Sequence, residues 1–330
     1  MNLLDKRILI ISGKGGVGKS TICAALARMS ARAGKRVLIV EAATRSDSKA
    51  RITEIFNTPD VGFEPREVFP NIHAANLDAD SCMKDCVLQK VRLEMIYNAA
   101  FRFPFVRNTL HFFPGVKEFM IMYRIMCLEQ ARSSSGRPRY DQIIFDGPTT
   151  GHSLFYLEIS QLFVDILKAG FFARDAKKVI DSIIDPDKTC FNVVTLAEEM
   201  PVNETLDLLR NAKAALDIPL GYIFINAIQP SLFGEIEGVE SEREGLEKLK
   251  ADEAGSEKLA AALGDAGAVE SLLETAAFQS ERSDINRRQI ARLLEHPMRF
   301  MRIPFIYSKN FDLNTIDGIA DTITKGMAQE

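Results

Sequence analysis

The sequence predicts a doubly wound α/β fold, and three observations carry that prediction. Short, continuous apolar runs recur along the chain. Helix-like stretches alternate with them. A glycine-rich turn joins the first run to the first helix. Continuous apolar runs suit strands buried on both faces of a mostly parallel sheet, where alternating ones would suit a half-exposed sheet. Alternation of strand and helix is the mark of α/β layering.

Arg7 to Ser12 reads as the first strand, and Lys19 to about Gly34 as the helix after the glycines. Lys35–Val40, Gln142–Phe145, Phe191–Thr195 and Gly221–Ile225 read as four more buried strands. Helical patterns occupy 153–168, 174–184 and 201–215. Two regions interrupt this rhythm. Residues 80–130 show no core strand and read as a helical insertion rich in Phe and Met. Residues 235–270 hold eleven acidic and four basic side chains, a net charge of -7, and read as solvated helices or a mobile insertion. No whole-domain repeat is visible, so residues 1–330 are expected to form one unit.

Composition narrows the function. A chain of 330 residues with 46% hydrophobic and 26% charged residues can bury a large core without disulfides or metals. The formal net charge of -4 argues against a general nucleic-acid binder. Met1–Arg7 carries no signal-peptide core. The longest uncharged stretch, Ile218–Gly234, is broken by Pro219, Asn226, Gln229 and Pro230 and is not a membrane span. Five cysteines without a C-x-x-C pair fit reduced thiols, so a cytoplasmic location is expected.

The most specific motif is Gly13-Lys14-Gly15-Gly16-Val17-Gly18-Lys19-Ser20-Thr21, which matches G-x-x-x-x-G-K-[ST] between a predicted strand and a predicted helix. Glycines at this spacing let successive N–H groups curl around a polyphosphate, and the helix start adds its dipole. Lys19 is placed to reach β/γ phosphates and Ser20 to ligate Mg²⁺. The expected ligands are therefore ATP and Mg²⁺, on a phosphate-loop NTPase fold. Asp146 follows the third strand, where a carboxylate holds Mg²⁺ directly or through water.

With Lys14, the loop resembles the deviant Walker A signature of the partition, nitrogenase-iron-protein and arsenical-pump ATPases. The string Asp146-Gly147-Pro148-Thr149-Thr150-Gly151-His152-Ser153 resembles the D-T-A-P-T-G-H-T switch II of the arsenical-pump and guided-entry (tail-anchored protein targeting) ATPases. It departs at Gly147-Pro148-Thr149 and at Ser153. Further matches follow in order: Thr195–Glu199 with Glu204-Thr205, then Asn226, then Ile303-Pro304-Phe305.

The resemblance implies one ATPase domain working as a nucleotide-sandwich dimer, of one chain or of two paralogues. Lys14 would then reach the partner's nucleotide, and Asn226, Pro304 and Phe305 would lie on the adenine side. Switch I departs from the family's D-P-A-H-[SN]. Here it reads Glu41-Ala42-Ala43-Thr44-Arg45-Ser46-Asp47, and Glu41 carries its carboxylate on a longer stem. Displacements of about an ångström can cost 10²-fold in rate. Glu41 is the catalytic candidate for orienting water, with Asp47 as substitute and a purely structural carboxylate as the other reading. Arg45 reads equally as a phosphate contact or a solvated residue.

Phe101, Phe103, Phe105, Phe112, Phe113 and Phe119 fall among Met95, Met120, Met122 and Met126. Methionine-rich apolar surfaces adapt to varied partners. In the tail-anchored targeting ATPases this region forms a groove for a client's membrane helix; an ordinary helical core is the competing reading. Arg92, Arg102, Arg107 and Arg124 would rim such a groove or be solvated. Cys82 and Cys86, at i and i+4, share a helix face, and Cys127 would complete a three-thiolate site for a soft metalloid. Buried inert thiols are the plainer expectation. The readings left open are a Mg²⁺-dependent ATPase coupled to an apolar client, an arsenite- or antimonite-stimulated pump subunit, and a slow nucleotide switch. A membrane-surface role is disfavoured, because Phe311–Glu330 holds one basic and four acidic residues.

Overall fold

The computed structural model describes residues 2–43, 49–91, 115–167, 171–215, 218–231, 242–251, 258, 261, 266–309 and 311–329. Eight strands form one sheet: β1 (Ile8–Gly13), β2 (Val37–Ala42), β3 (Arg66–Phe69), β4 (Ile72–Leu77), β5 (Gln142–Asp146), β6 (Thr189–Leu196), β7 (Leu220–Ile228) and β8 (Arg299–Pro304). Their spatial order is β3-β4-β2-β5-β1-β6-β7-β8. All neighbours are parallel except β3 and β4. The predicted doubly wound α/β class is the observed one.

Ten α-helices are described: α1 (Lys19–Arg32), α2 (Arg51–Phe56), α3 (Ala79–Val91), α4 (Val116–Gln130), α5 (Thr150–Leu167), α6 (Phe171–Ile184), α7 (Glu199–Ala215), α8 (Glu242–Ala251), α9 (Ala266–Leu294) and α10 (Leu313–Ala328). The central strands bury both faces, which is why their apolar runs are continuous. Leu9 and Ile11 of β1, with Val37 and Ile39 of β2, face the layer of α1 and α10. Ile8 and Ile10, with Leu38 and Val40, face α3, α4 and α6. Arg28 of α1 fastens α10 through Asp317, at 2.6 and 2.7 Å.

Three strands were not legible as buried runs. β8 alternates exposed and buried residues, as the edge of a sheet does. β3 is the opposite edge, and two of its four residues are exposed. β4 contains Ala74, Ala75 and Asn76, residues of low strand propensity, and is held by its parallel register on β2.

The Phe/Met region resolves only in part. Phe119, Met120, Met122 and Met126 of α4 are buried between α3, α5 and the sheet, so these four are core and not groove surface. The Phe119 ring stacks on Phe163 of α5 with centroids 4.7 Å apart. Arg124 does not rim a groove: it bonds Asp85 at 2.7 Å and lies over the Phe63 ring. Met95, Phe101, Phe103, Phe105, Phe112 and Phe113, with Arg92, Arg102 and Arg107, lie outside the described residues. Of the acidic stretch, residues 242–251 form α8 packed on α9. Among the described residues no helix is long and apolar enough to cross a membrane.

Candidate active site

The site grows from the carboxyl ends of β1, β2 and β5, which lie side by side at the middle of the sheet. In an open α/β sheet, ligands bind outside the carboxyl ends of strands. Gly13 ends β1 at a φ of 151°, and a Cβ there would strike the Val194 carbonyl of β6. Gly18 caps α1 in the left-handed region at a φ of 96°, with the Asn226 amide pressed against it. Glycine is required at both for conformation and for space. Between them, Gly15 and Gly16 form the exposed crest of the loop and Val17 anchors it in the core. Thr21 lies in the first turn of α1.

Lys19 curls over the loop, its Nζ donating to the carbonyls of Gly13 at 3.0 Å and Lys14 at 3.1 Å. Burial lowers its pKa, against the attraction of Asp146. Ser20 Oγ donates to Asp146 Oδ2 at 2.6 Å. The other oxygen, Oδ1, is buried with no hydrogen-bond partner, and burial raises the pKa of Asp146. A buried carboxylate oxygen left unpaired is costly unless something else occupies it. Beside a serine hydroxyl it forms the hard-oxygen donor set that Mg²⁺ takes, so these residues fit the metal.

Glu41 of β2 lies beside Asp146 of the adjacent strand β5, in direct parallel register. Its carboxylate accepts the backbone N–H of Ile52 at 2.7 Å through Oε1 and of Arg51 at 3.0 Å through Oε2. Burial, with Asp146 nearby, still pushes its pKa up to about 7. Glu41, Lys19, Ser20 and Asp146 line one cavity of about 310 Å³. Asn76, Lys49, Arg51 and Tyr156 line it too, and sequence reasoning passed over all four. The two basic residues lie just past the switch I string, where their charge was the available signal. Asn76 was hidden with the strand that carries it.

Other predicted residues fall elsewhere. Lys14 forms an ion pair with Glu204 of α7, both side chains about one-third exposed. Asn226 donates its amide to the Val17 carbonyl at 2.9 Å, so its donor braces the phosphate loop. Pro304 ends β8, three strands from β1, and the half-exposed Phe305 meets Tyr307 edge-on. Neither lines the cavity around Lys19. Arg45 and Asp47, and the side chains of Thr150, His152 and Ser153, lie outside the described residues.

Cys82 and Cys86 sit as the plainer expectation of buried thiols had them. Cys82 and Cys86 are buried and burial raises both the Cys82 and the Cys127 thiol pKa, which disfavours thiolate ligands. Among the described residues, no three His, Cys, Asp or Glu side chains are grouped to hold a metal ion.

Residues 6–172 match the family model described as anion-transporting ATPase. The chain is 26% identical over 230 residues to the ATPase BagA of Mycobacterium tuberculosis, covering 68% of this chain and 66% of that one. It is 28% identical over 243 residues to a Halobacterium salinarum protein named as an arsenical pump-driving ATPase, covering 70% and 37%. It is 28% identical over 172 residues to the ATPase GET3 of Podospora anserina, covering 51% and 48%. The alignments thus span just under two thirds of the mycobacterial relative and less than half of the other two.

Proposed function

The chain belongs to the anion-transporting ATPase family, and from that premise we propose that it hydrolyses ATP with Mg²⁺ at the cavity between β1, β2 and β5. The observation that carries this reading is the junction of Lys19, Ser20 and Asp146. It sets a loop cation, a bonded hydroxyl–carboxylate pair and an unpaired buried carboxylate oxygen in one pocket. Ser20 and Asp146 would hold Mg²⁺, which when bound neutralises charge on the phosphate oxygens.

The chain's own groups divide the remaining work. The loop N–H groups and Lys19 bind and orient the phosphates; Lys19 exchanges the Gly13 and Lys14 carbonyls for phosphate oxygen. Glu41, with its pKa about 7, holds a carboxylate in the cavity that orients water above that pH. Lys14, beside the loop's exposed crest, would leave Glu204 for a partner's nucleotide in a sandwich dimer. An apolar client is supported by the Phe-rich stretch 101–113 in sequence alone. A second reading, a slow nucleotide switch, is favoured by one observation: both Glu41 oxygens already accept backbone N–H groups.

The test is phosphate release from ATP by the purified protein, with Mg²⁺ and with chelator, in wild type and Lys19→Ala. Mg²⁺-dependent release lost in the variant is the expected result. Release that persists in Lys19→Ala removes the site assignment, and a wild type that binds ATP without turnover leaves the switch.

A further inference from the structure

We propose that Arg51 is a catalytic residue of this site, contacting the transferred phosphoryl group from within the same chain. The inference rests on the ATP-hydrolysis reading above and adds a residue to it that the phosphate-loop and switch motifs do not contain.

Three observations converge on Arg51. Arg51 lines the same cavity as Lys19, Ser20, Glu41 and Asp146. Its backbone is tethered there: Glu41 accepts the N–H of Arg51 at 3.0 Å and of Ile52 at 2.7 Å. The third observation is local. Arg51 is the first residue of α2, whose N-cap, Ala50, makes no side-chain capping bond. A cation in the first turn opposes the helix dipole, and the Glu41 carboxylate that accepts the first N–H groups of α2 offsets that cost on the cavity side. Residues that break a local rule concentrate at functional sites. The field is consistent with this placement: the Arg51 charge works against the burial that raises the Glu41 and Asp146 pKa values and adds to the burial that lowers that of Lys19.

The chemistry calls for such a group. The water oxygen bonds to the γ-phosphorus while the bond to the β–γ bridging oxygen breaks. The electron pair of that bond leaves on the ADP β-phosphate, and the water proton passes to the released phosphate. Negative charge shifts toward the bridging and equatorial oxygens, and a positioned guanidinium stabilises it. Lys19 serves the loop side of the phosphates; Arg51 serves the side that faces switch I. Its backbone tether to Glu41 keeps the water-orienting carboxylate and the guanidinium together.

The experiment compares wild type, Arg51→Ala and Arg51→Lys in three measurements: turnover of Mg²⁺·ATP, affinity for ADP, and affinity for ADP with fluoroaluminate, which mimics the transferring group. The tether uses a backbone N–H, so it survives both substitutions, and thermal unfolding checks the fold. Arg51→Ala is expected to lose roughly 10²–10³-fold in turnover. Its affinity for ADP with fluoroaluminate should fall in parallel, with ADP affinity within about twofold of wild type. Arg51→Lys should recover part of both losses. Unchanged turnover and fluoroaluminate affinity in Arg51→Ala overturns the proposal while leaving the ATPase reading intact. Equal losses of ADP and fluoroaluminate affinity overturn it too, because Arg51 would then be a ground-state contact. A wild type that neither hydrolyses ATP nor binds ADP with fluoroaluminate overturns the proposal and the ATPase reading together.

Discussion

The phosphate loop and α4 are both dense in signal, yet they yield to different kinds of reasoning. In the loop, each residue type answers to a local requirement: Gly13 and Gly18 to backbone angles, Lys19 and Ser20 to charge and oxygen chemistry. In α4, Phe119, Met120, Met122 and Met126 answer to whatever packs against them. Phe163 stacks on one side and the sheet closes the other. A motif with positional chemistry reads the same in any surroundings. An apolar helix reads as core or as docking surface depending on its neighbours.

The comparison breaks most sharply at Lys19. Lys19→Ala is expected to reduce ATP turnover by about 10³-fold or more, since no motif residue replaces its charge, while thermal stability stays near wild type. Calorimetric nucleotide titration and phosphate release check both halves. Phe119→Ala should behave in the opposite way. Removing a stacked, fully buried ring costs about 3–5 kcal/mol of stability, with nucleotide affinity retained wherever the protein is folded. Denaturant unfolding followed beside nucleotide titration separates this from a client-groove role, which would leave stability intact.

A smaller effect sharpens the electrostatics. The folded pKa of Glu41 is raised from 4.5 to about 7, so the group favours folding below its unfolded value and that contribution is lost as pH rises through 7. On the proposed role of Glu41, the carboxylate that orients water is the form above 7. Turnover should therefore climb through pH 7, and that limb should disappear in Glu41→Gln; a profile with an unchanged limb assigns it to another group. For Cys82→Ser with Cys86→Ser, basal turnover should be unchanged and antimonite should stimulate neither form. Antimonite stimulation lost in the double variant would restore the metalloid reading. The smallest effect belongs to Lys14→Ala. Its ion pair with Glu204 is about one-third exposed, so its loss should cost below about 1 kcal/mol. Monomer nucleotide affinity should hold, and sedimentation with a non-hydrolysable analogue should show weaker dimerisation.

Legibility followed burial symmetry. β1, β2, β5, β6 and β7 announce themselves because central strands are apolar on both faces. β8 and β3 were hidden because edge strands carry polar residues outward, and β4 because Ala74, Ala75 and Asn76 have low strand propensity and are held by their pairing to β2 and β3. The site divided in the same manner. Ser20 and Asp146, both expected to face Mg²⁺, lie 2.6 Å apart and Lys19 lines the same cavity, because a strand–loop–helix and an adjacent strand end constrain them. Arg51 and Asn76 come from 10 and 35 residues beyond Glu41, on elements no motif marks, and join the cavity through the Glu41 bond to α2 and the pairing of β4 with β2.

By itself, then, the sequence determined the α/β class, the central strands and the glycine, lysine and hydroxyl positions of the loop between β1 and α1, since burial period, glycine conformation and side-chain charge are local properties. The tertiary structure alone decided that α4 is core, that Asn226 braces the loop, that Cys82, Cys86 and Cys127 hold no three-ligand site, and that Lys14 rests on Glu204. Each of those outcomes depends on which distant element arrives within bonding distance. That is set by packing across the whole sheet and is written in no single stretch of chain.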